Sequence, residues 1–156
     1  MTLIQQPPTW VVLALLLVAS GCDGEGSKRA SRAQQLSGTW KIQCVYAGAG
    51  CKDPDAQFMF SEGERKTFWL TREERSGRTF KGTAEFLSGN ALSMTGPFLS
   101  ASLVWRLNFE KPDPLPDSVR LTLELARDNA VQDFLDGLGV NGTTGRIELD
   151  LVPPSS

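Results

Sequence analysis

The feature of this sequence that most constrains its fold is a two-residue alternation of apolar and polar side chains that recurs between residues 38 and 151. Successive side chains of a β-strand point to opposite faces, so a segment of this kind forms a strand with one buried and one solvated face. The clearest alternation predicts strands at Gly38–Tyr46, Arg78–Leu87, Phe98–Glu110, Ser118–Ala126 and residues 146–151. Weaker alternation predicts three more strands, at Ala56–Ser61, Lys66–Arg72 and Ala91–Thr95.

The same alternation predicts which side chains point into the core. In the first strand the apolar face carries Trp40, Ile42, Cys44 and Tyr46. In the strand at Ser118–Ala126 it carries Val119, Leu121, Leu123 and Leu125. We expect these faces to pack against one common core, with the intervening polar residues in solvent.

Turn-forming residues separate the predicted strands, in segments that read SEGE, EERSG, SGN, TGP and KPDPLPD. Connections this short join antiparallel neighbours. Eight antiparallel strands with one apolar face each bury those faces by closing into a barrel, which also removes exposed sheet edges. The sequence therefore predicts an all-β fold, an eight-stranded antiparallel up-and-down (meander) barrel. A sandwich of two sheets is the alternative.

One segment departs from the alternation. Between Asp128 and Gly139 the apolar residues fall at helical spacing, at Val131, Phe134, Leu135 and Leu138. Asp128 or Asn129 can cap the start of a helix here, and Gly139 can end it. We expect one short amphipathic helix before the last strand.

The first 22 residues have the composition of an export signal. Trp10–Ala19 reads WVVLALLLVA, ten apolar residues, and every charged residue of the chain lies at or after Asp23. A transmembrane helix needs about 20 apolar residues, whereas the apolar core of a secretory signal has about 7–15 and is followed by small residues. Here Ala19, Ser20 and Gly21 follow that core and precede Cys22.

This order of apolar run, small residues and cysteine resembles the lipobox of bacterial lipoproteins. The resemblance implies that residues 1–21 are a cleaved signal peptide and that Cys22 carries acyl chains such as palmitate. It also implies an anchor in a membrane of the bacterial cell envelope, on the periplasmic or the outer-surface side. The polar residues 22–36 are then expected to be a flexible tether, and residues 37–153 the barrel domain. The alternatives are a plain cleaved signal with an incidental Cys22 and an uncleaved anchor.

Two cysteines remain once Cys22 is assigned to lipidation, namely Cys44 and Cys51. An exported domain meets an oxidising compartment, in which disulfides form and persist. The intervening VYAGAG contains two glycines and can turn the chain back on itself. We therefore predict a Cys44–Cys51 disulfide across the first hairpin, with two buried free thiols as the alternative.

The first strand opens with Leu36-Ser37-Gly38-Thr39-Trp40. This looks like the Gly-x-Trp start of lipocalins and related calycin barrels. Small bacterial proteinase-inhibitor barrels also begin with Gly-x-Trp and carry a disulfide in an early hairpin. The lipocalin resemblance implies that Trp40 packs across a closed end of the barrel and that the interior holds a small apolar ligand or lipid. The inhibitor resemblance implies a protein-interaction module instead.

Small and bulky residues alternate at the interior-facing positions of the predicted barrel. Such an interior either leaves a cavity for an acyl chain or another apolar ligand, or is simply filled by its own side chains. The predicted cavity residues are Trp40, Phe80, Gly82, Ala84, Phe86, Ala101, Leu103 and Trp105. Trp69 lies on the opposite face of its strand, where an exposed ring would be a binding anchor. Burial of Trp69 under the tether or the helix is the alternative.

The residue composition also bears on chemistry. The chain has no histidine, which removes the commonest general base and the commonest metal ligand. It has no Gly-rich phosphate-binding loop, and its net charge of −2 gives no strong field for nucleic acid. We therefore expect no enzymatic activity, cofactor, bound metal or nucleic-acid partner.

Two functions stay open at this point. The first is a membrane-anchored, lipocalin-like barrel that binds a small apolar ligand or lipid. The second is an envelope interaction module with a filled core, such as a proteinase inhibitor or an assembly accessory.

Overall fold

The structure, a computed structural model, describes residues 31–48, 50–72, 78–111, 116–141 and 146–155. The predicted signal peptide, the predicted lipidation of Cys22 and the first part of the predicted tether lie outside the described residues.

Strands of a single antiparallel sheet make up most of the described chain. They are β1 (Gly38–Ala47), β2 (Cys51–Lys52), β3 (Ala56–Phe60), β4 (Arg65–Arg72), β5 (Thr79–Phe86), β6 (Ala91–Thr95), β7 (Leu103–Glu110), β8 (Ser118–Leu125) and β9 (Ile147–Val152). The two-residue β2 pairs with the end of β1, and the other eight strands follow one another in chain order. β9 then pairs back onto β1 and closes the sheet. This confirms the predicted eight-stranded antiparallel meander barrel over the two-sheet sandwich.

Two helical segments accompany the sheet in the described part of the chain. Residues 31–36 are helical, and we label this segment α1. The second helix, α2 (Asp128–Leu138), lies between β8 and β9 and confirms the predicted helix before the last strand. It ends as expected at Gly139, whose φ of 65° is a left-handed conformation that glycine adopts freely.

The barrel has two distinct ends. β1 begins beside α1, and β3, β5 and β7 end on that side, which we call the α1 end. The opposite end, the α2 end, holds the hairpin after β1, the β6–β7 connection and α2. Buried apolar side chains fill the space between them and extend beneath both helices.

A β-bulge changes the inward face of β1. The register of β1 against β9 slips between Ile42 and Cys44. An extra residue in one strand reverses the alternation beyond it. Trp40 and Ile42 therefore point into the core as predicted, but beyond the bulge Val45 does so and Tyr46 lies outside. The predicted inward position of Tyr46 is wrong, because a period-two pattern contains no sign of the bulge.

A second bulge has the same effect at the end of β8. Its register against β7 slips between Val104 and Trp105, so that Leu125 lies opposite Val104. Val104 alternates with buried neighbours and faces outward, and Leu125 is 68% exposed. The predicted inward position of Leu125 is therefore wrong, whereas Leu121 in the same strand is fully buried as predicted.

The strand predicted at Phe98–Glu110 begins later, at Leu103. A turn occupies the start of the predicted strand, with the Leu99 N–H donating to the Gly96 carbonyl at 3.0 Å. Phe98 folds back onto Phe80, at a ring-centroid distance of 4.9 Å. The residues between β6 and β7 thus pack against the core and α2 without pairing with a neighbouring strand.

The last residues of the predicted tether belong to the folded domain. Ala33 and Leu36 are three residues apart, share a face of α1 and are 2% and 0% exposed. The Leu36 carbonyl accepts a hydrogen bond of 2.9 Å from the Trp40 indole. These contacts fix α1 on the end of the barrel, so residues 31–36 differ from the flexible chain that was predicted for them.

Candidate functional site

Aromatic side chains in mutual contact occupy the barrel interior. Phe134 of α2 enters from the α2 end, and its ring centroid lies 5.4 Å from that of Trp105 and 6.4 Å from that of Phe58. Phe58 lies 6.0 Å from Phe68 and 5.3 Å from Phe60, further along the barrel. All five rings are at most 2% exposed. Separations of 4.5–7 Å are those of packed aromatic pairs, so these rings fill the space between the strands.

Gly82, a predicted cavity residue, does not leave an empty space. It pairs with Phe68 across β4 and β5, and a Cβ added to it would lie 2.5 Å from carbons of the Phe68 ring. That distance is far shorter than van der Waals contact, so the Phe68 ring already covers the glycine backbone. The Phe68 ring therefore occupies the space that a side chain at position 82 would take.

The other predicted cavity residues divide between the interior and the two ends of the barrel. Buried in the interior are Ala84, Phe86, Leu103 and Trp105. Trp40 lies at the α1 end, where its hydrogen bond to α1 helps to close the barrel. Phe80 and Ala101 are partly buried at the α2 end. The residues predicted to line a ligand cavity thus form part of a packed core and of the contacts that close it at each end.

A polar contact fastens α2 over its end of the barrel. The Asp133 carboxylate accepts a hydrogen bond of 2.9 Å from the Ser100 N–H. Hydrogen bonds from the Ser100 hydroxyl and N–H lower the pKa of Asp133, since they stabilise its charged form. One turn further along the helix, a Cβ added to Gly137 would lie 3.6 Å from the Phe80 ring, an ordinary contact distance.

The Trp105 indole is one polar group of the core without a partner among the described residues. Its ring is fully buried beside Phe134, and its Nε1–H donates to no acceptor there. A buried donor left in this state costs about 1–3 kcal/mol. The indole N–H is therefore the point in the interior where an added hydrogen-bond acceptor would gain most.

Lys66 was predicted only as the start of a strand, yet it alone among the charged side chains in the described residues is buried, at 1% exposed. Its Nζ donates to the Ser37 hydroxyl at 2.8 Å and to the Ser61 carbonyl at 2.7 Å. Burial lowers the pKa of Lys66, and the Glu62 carboxylate partly opposes that shift. The lysine thus joins Ser37, the residue that follows α1, to the β3–β4 turn. Its position in a weakly alternating segment gave no signal of this role.

An open depression lies beside Lys66 at the α1 end, with a volume of about 340 Å³. It is lined by Ala33, Gln34 and Ser37 on one side and by Glu62, Gly63 and Glu64 on the other. Two carboxylates lie in this lining and the depression is outside the barrel, so it is not the interior cavity predicted for an apolar ligand.

The predicted Cys44–Cys51 disulfide is present. Cys44 is buried in β1, Cys51 is exposed in β2, and their Cα atoms are 5.4 Å apart. The bridge closes the hairpin at the α2 end and excludes the alternative of two free thiols.

The outer surface of the barrel over β7, β8 and β9 is charged, and its charges pair with one another. Arg120 donates to both carboxylate oxygens of Asp150, at 2.7 and 3.0 Å. Arg106 lies 2.6 Å from Glu124, and Arg146 lies 2.6 Å from Glu148. Exposed pairs of this kind contribute little stability, about 0–1 kcal/mol each. Because of these pairs, few charged side chains on this side of the barrel lack an oppositely charged partner among the described residues.

The outer surface over β3, β4 and β5 is different in character. Trp69 lies there, on the outer face as predicted and partly exposed, between Met59 of β3 and Lys81 of β5. Met59 is 44% exposed, and the Lys81 ammonium lies 6.0 Å from the centroid of the Trp69 ring. The neighbouring outward residues are mostly threonines. Neither the tether residues 31–36 nor α2 buries this tryptophan fully.

No helix within the described parts of the chain is long and apolar enough to span a membrane. In the same residues, no three His, Cys, Asp or Glu side chains are placed to hold a metal ion together. Comparisons of the chain with protein-family models, with curated proteins and with solved structures find no match.

Proposed function

We propose that this protein is a bacterial envelope lipoprotein whose barrel is an interaction module. A lipid on Cys22 holds it at a membrane, and its outer surface engages a partner in the envelope. The observation that supports an interaction module is the occupied interior of the barrel, where Phe134 packs between Phe58 and Trp105. With α1 on one end and α2 on the other, the surfaces left for recognition are on the outside.

The anchor rests on the sequence before the barrel. The apolar run Trp10–Ala19 and the small residues before Cys22 support lipidation there. Two or three acyl chains on one residue give stable membrane attachment, whereas a single chain gives only marginal binding. The eight residues 23–30 between Cys22 and α1 span at most about 30 Å when extended. This linker would keep the α1 end near the membrane and leave the side and the α2 end accessible.

The anchor is tested by labelling cells with a radioactive or clickable palmitate analogue. We expect label on the parent protein and on a Cys51→Ala control, but none on Cys22→Ala. Globomycin, which blocks the lipoprotein signal peptidase, should cause a larger lipidated precursor to accumulate. Label retained by Cys22→Ala would show that the anchor is not at this residue.

The filled interior is tested by native mass spectrometry of the protein purified from its own host. An interaction module should carry no stoichiometric lipid after mild detergent exchange. A lipid that stays bound at one copy per chain would instead support the carrier function.

A second candidate function, carriage of an apolar ligand, is favoured by one observation. The unpartnered Nε1–H of Trp105 would be satisfied by a carbonyl or carboxylate oxygen of a ligand that displaced Phe134. In that case a fluorescent fatty acid should bind more tightly to Phe134→Ala than to the parent, and Trp105→Phe should weaken it. If neither variant changes fatty-acid binding, carriage is excluded in favour of the interaction module.

A further inference from the structure

Three rows of side chains define the outer surface centred on Trp69. The middle row runs across β3, β4 and β5 as Met59, Trp69 and Lys81. We call this surface, with the rows on either side, the Trp69 face. Lys81 is the one charged residue in its three rows, and its ammonium lies over the indole ring. Trp69 is partly exposed, and a flexible lysine side chain covers the face of its ring under the Lys81 ammonium, so a ligand that stacks there has to displace only that side chain.

Hydroxyl and amide groups form the two flanking rows. On one side Thr67, Thr83 and Thr95 lie side by side on β4, β5 and β6. On the other side Gln57 pairs with Thr71. Thr71 in turn shares a hydrogen bond of 3.2 Å with Thr79. Neighbouring strands are about 4.8 Å apart and alternate residues of one strand about 6.7 Å apart, so hydrogen-bonding groups stand on both sides of the indole at regular spacing.

We propose that the Trp69 face binds an uncharged glycan chain, with Trp69 as its stacking platform. A pyranose ring has an apolar face of C–H groups and a rim of hydroxyls. The indole matches the first, and the flanking Thr and Gln rows match the second. The proposal rests on the proposed function, because it names the partner class of the interaction module.

The composition of the face favours a glycan over a protein surface or a nucleic acid. The buried centre of a protein interface is dominated by apolar area, whereas here only Trp69 and Met59 are apolar among hydroxyls and an amide. Nucleic acid requires a series of cations for its phosphates, and this face carries only Lys81. The charges on the opposite side of the barrel pair with one another, whereas the Trp69 face presents mainly hydroxyl and amide groups, which suit a neutral ligand.

The proposal is tested with two uncharged probes, the hexamers of β-1,4-linked N-acetylglucosamine and of β-1,4-linked glucose. Each is titrated into the full chain in detergent by calorimetry. Trp10 is absent once the predicted signal peptide is cleaved, and Trp40 and Trp105 are buried, so bound glycan should also protect the partly exposed Trp69 of the mature protein from acrylamide quenching. We expect at least one hexamer to bind, and its affinity to be insensitive to salt because no ion pair forms.

Four variants locate the site. Trp69→Ala should weaken binding at least about tenfold, and Trp69→Tyr should retain most of it, because tyrosine keeps an aromatic platform. Thr67→Val and Thr83→Val remove hydroxyls at constant shape and should each weaken binding severalfold. Arg106→Ala, on the charged side, is the control and should bind like the parent. Thermal melts confirm that each variant is folded.

Failure of both hexamers to release heat, or equal binding by the parent and Trp69→Ala, would overturn the glycan proposal. Crosslinking in living cells, with a photo-reactive residue at position 59, distinguishes failure of the glycan proposal from failure of the interaction module. If that residue captures a protein in living cells while neither hexamer binds, the glycan assignment is wrong but the interaction module stands. If neither glycan nor protein is engaged from any outer position, both proposals are wrong.

Discussion

The rings of Trp105 and Phe134 pack with their centroids 5.4 Å apart, which joins β7 to α2, the helix that covers one end of the barrel. Phe134 is 1% exposed and also faces Phe58. Phe134→Ala should therefore lower the free energy of unfolding by about 3–5 kcal/mol, through lost burial and the cavity left behind. Urea denaturation measures the change. A loss below about 1 kcal/mol would mean that α2 is not an integral part of the core.

The contact between Gly82 and the Phe68 ring predicts a strong effect of a single methyl group. Gly82→Ala should destabilise the barrel by about 1–3 kcal/mol, because the added Cβ requires Phe68 or the backbone to move. Gly137→Ala is the matched control, since a Cβ there meets Phe80 at an ordinary distance. Gly137 has a helical conformation in the last turn of α2, so Ala there should stabilise the protein by up to about 0.5–1 kcal/mol. Opposite signs for the two substitutions are the expected outcome of chemical denaturation.

The bulge at the end of β8 predicts unequal effects for two leucines of one strand. Leu125 is exposed on the outer face, so Leu125→Ser should change stability by no more than about 0.5 kcal/mol. Leu121 is fully buried, and Leu121→Ala should cost about 2–5 kcal/mol. Similar losses for both substitutions would contradict the register slip between Val104 and Trp105.

Buried Lys66 predicts a rise of stability with alkaline pH. Its folded pKa lies below the ordinary lysine value of 10.5, so between those two values the unfolded chain binds more protons than the folded one. Stability contributed by this group therefore increases as the pH rises through that window. The free energy of unfolding of the parent, minus that of Lys66→Met, should increase with pH there. A difference that stays flat up to pH 10.5 would argue that the ammonium is not desolvated.

The Cys44–Cys51 bridge predicts a moderate loss of stability on reduction. The two cysteines are seven residues apart, and closing so short a loop stabilises the folded state by about 2–3 kcal/mol in the chain-entropy model. A chain with both residues changed to Ala should lose stability in that range and become insensitive to reductant. The parent in reductant should show a similar loss, and a parent melt unaffected by reductant would contradict the prediction.

Much of the fold could be predicted from the sequence because the barrel strands alternate cleanly. Ile147, Leu149 and Leu151 of β9 are all buried, as the pattern predicts. The disulfide and α2 were also predicted, from the cysteine spacing and from the change to helical spacing. Tyr46 and Leu125 were placed on the wrong face, since each follows a bulge that arises from pairing with another strand.

The site was harder to predict than the fold. Gly82 suggests a cavity when its own strand is considered alone, and only the pairing with β4 reveals that Phe68 covers it. Lys66 is a charged residue whose burial depends on Ser37 and Ser61, both distant from it along the chain or across a turn. In each case the decisive neighbour comes from another element, and a one-dimensional pattern contains no record of it.

The pairing of β9 with β1 also sets the order in which the molecule can be built. Lys41 lies opposite Val152, so the barrel can close only after the last strand has formed and paired with the first. Contacts between such distant segments slow folding, because the loop between them must be ordered first. When the chain is made or exported with its amino terminus first, its sheet therefore stays open until β9 has also appeared. Truncation before Ile147 should accordingly yield a species prone to proteolysis and to pairing with other chains along the unprotected edges of β1 and β8.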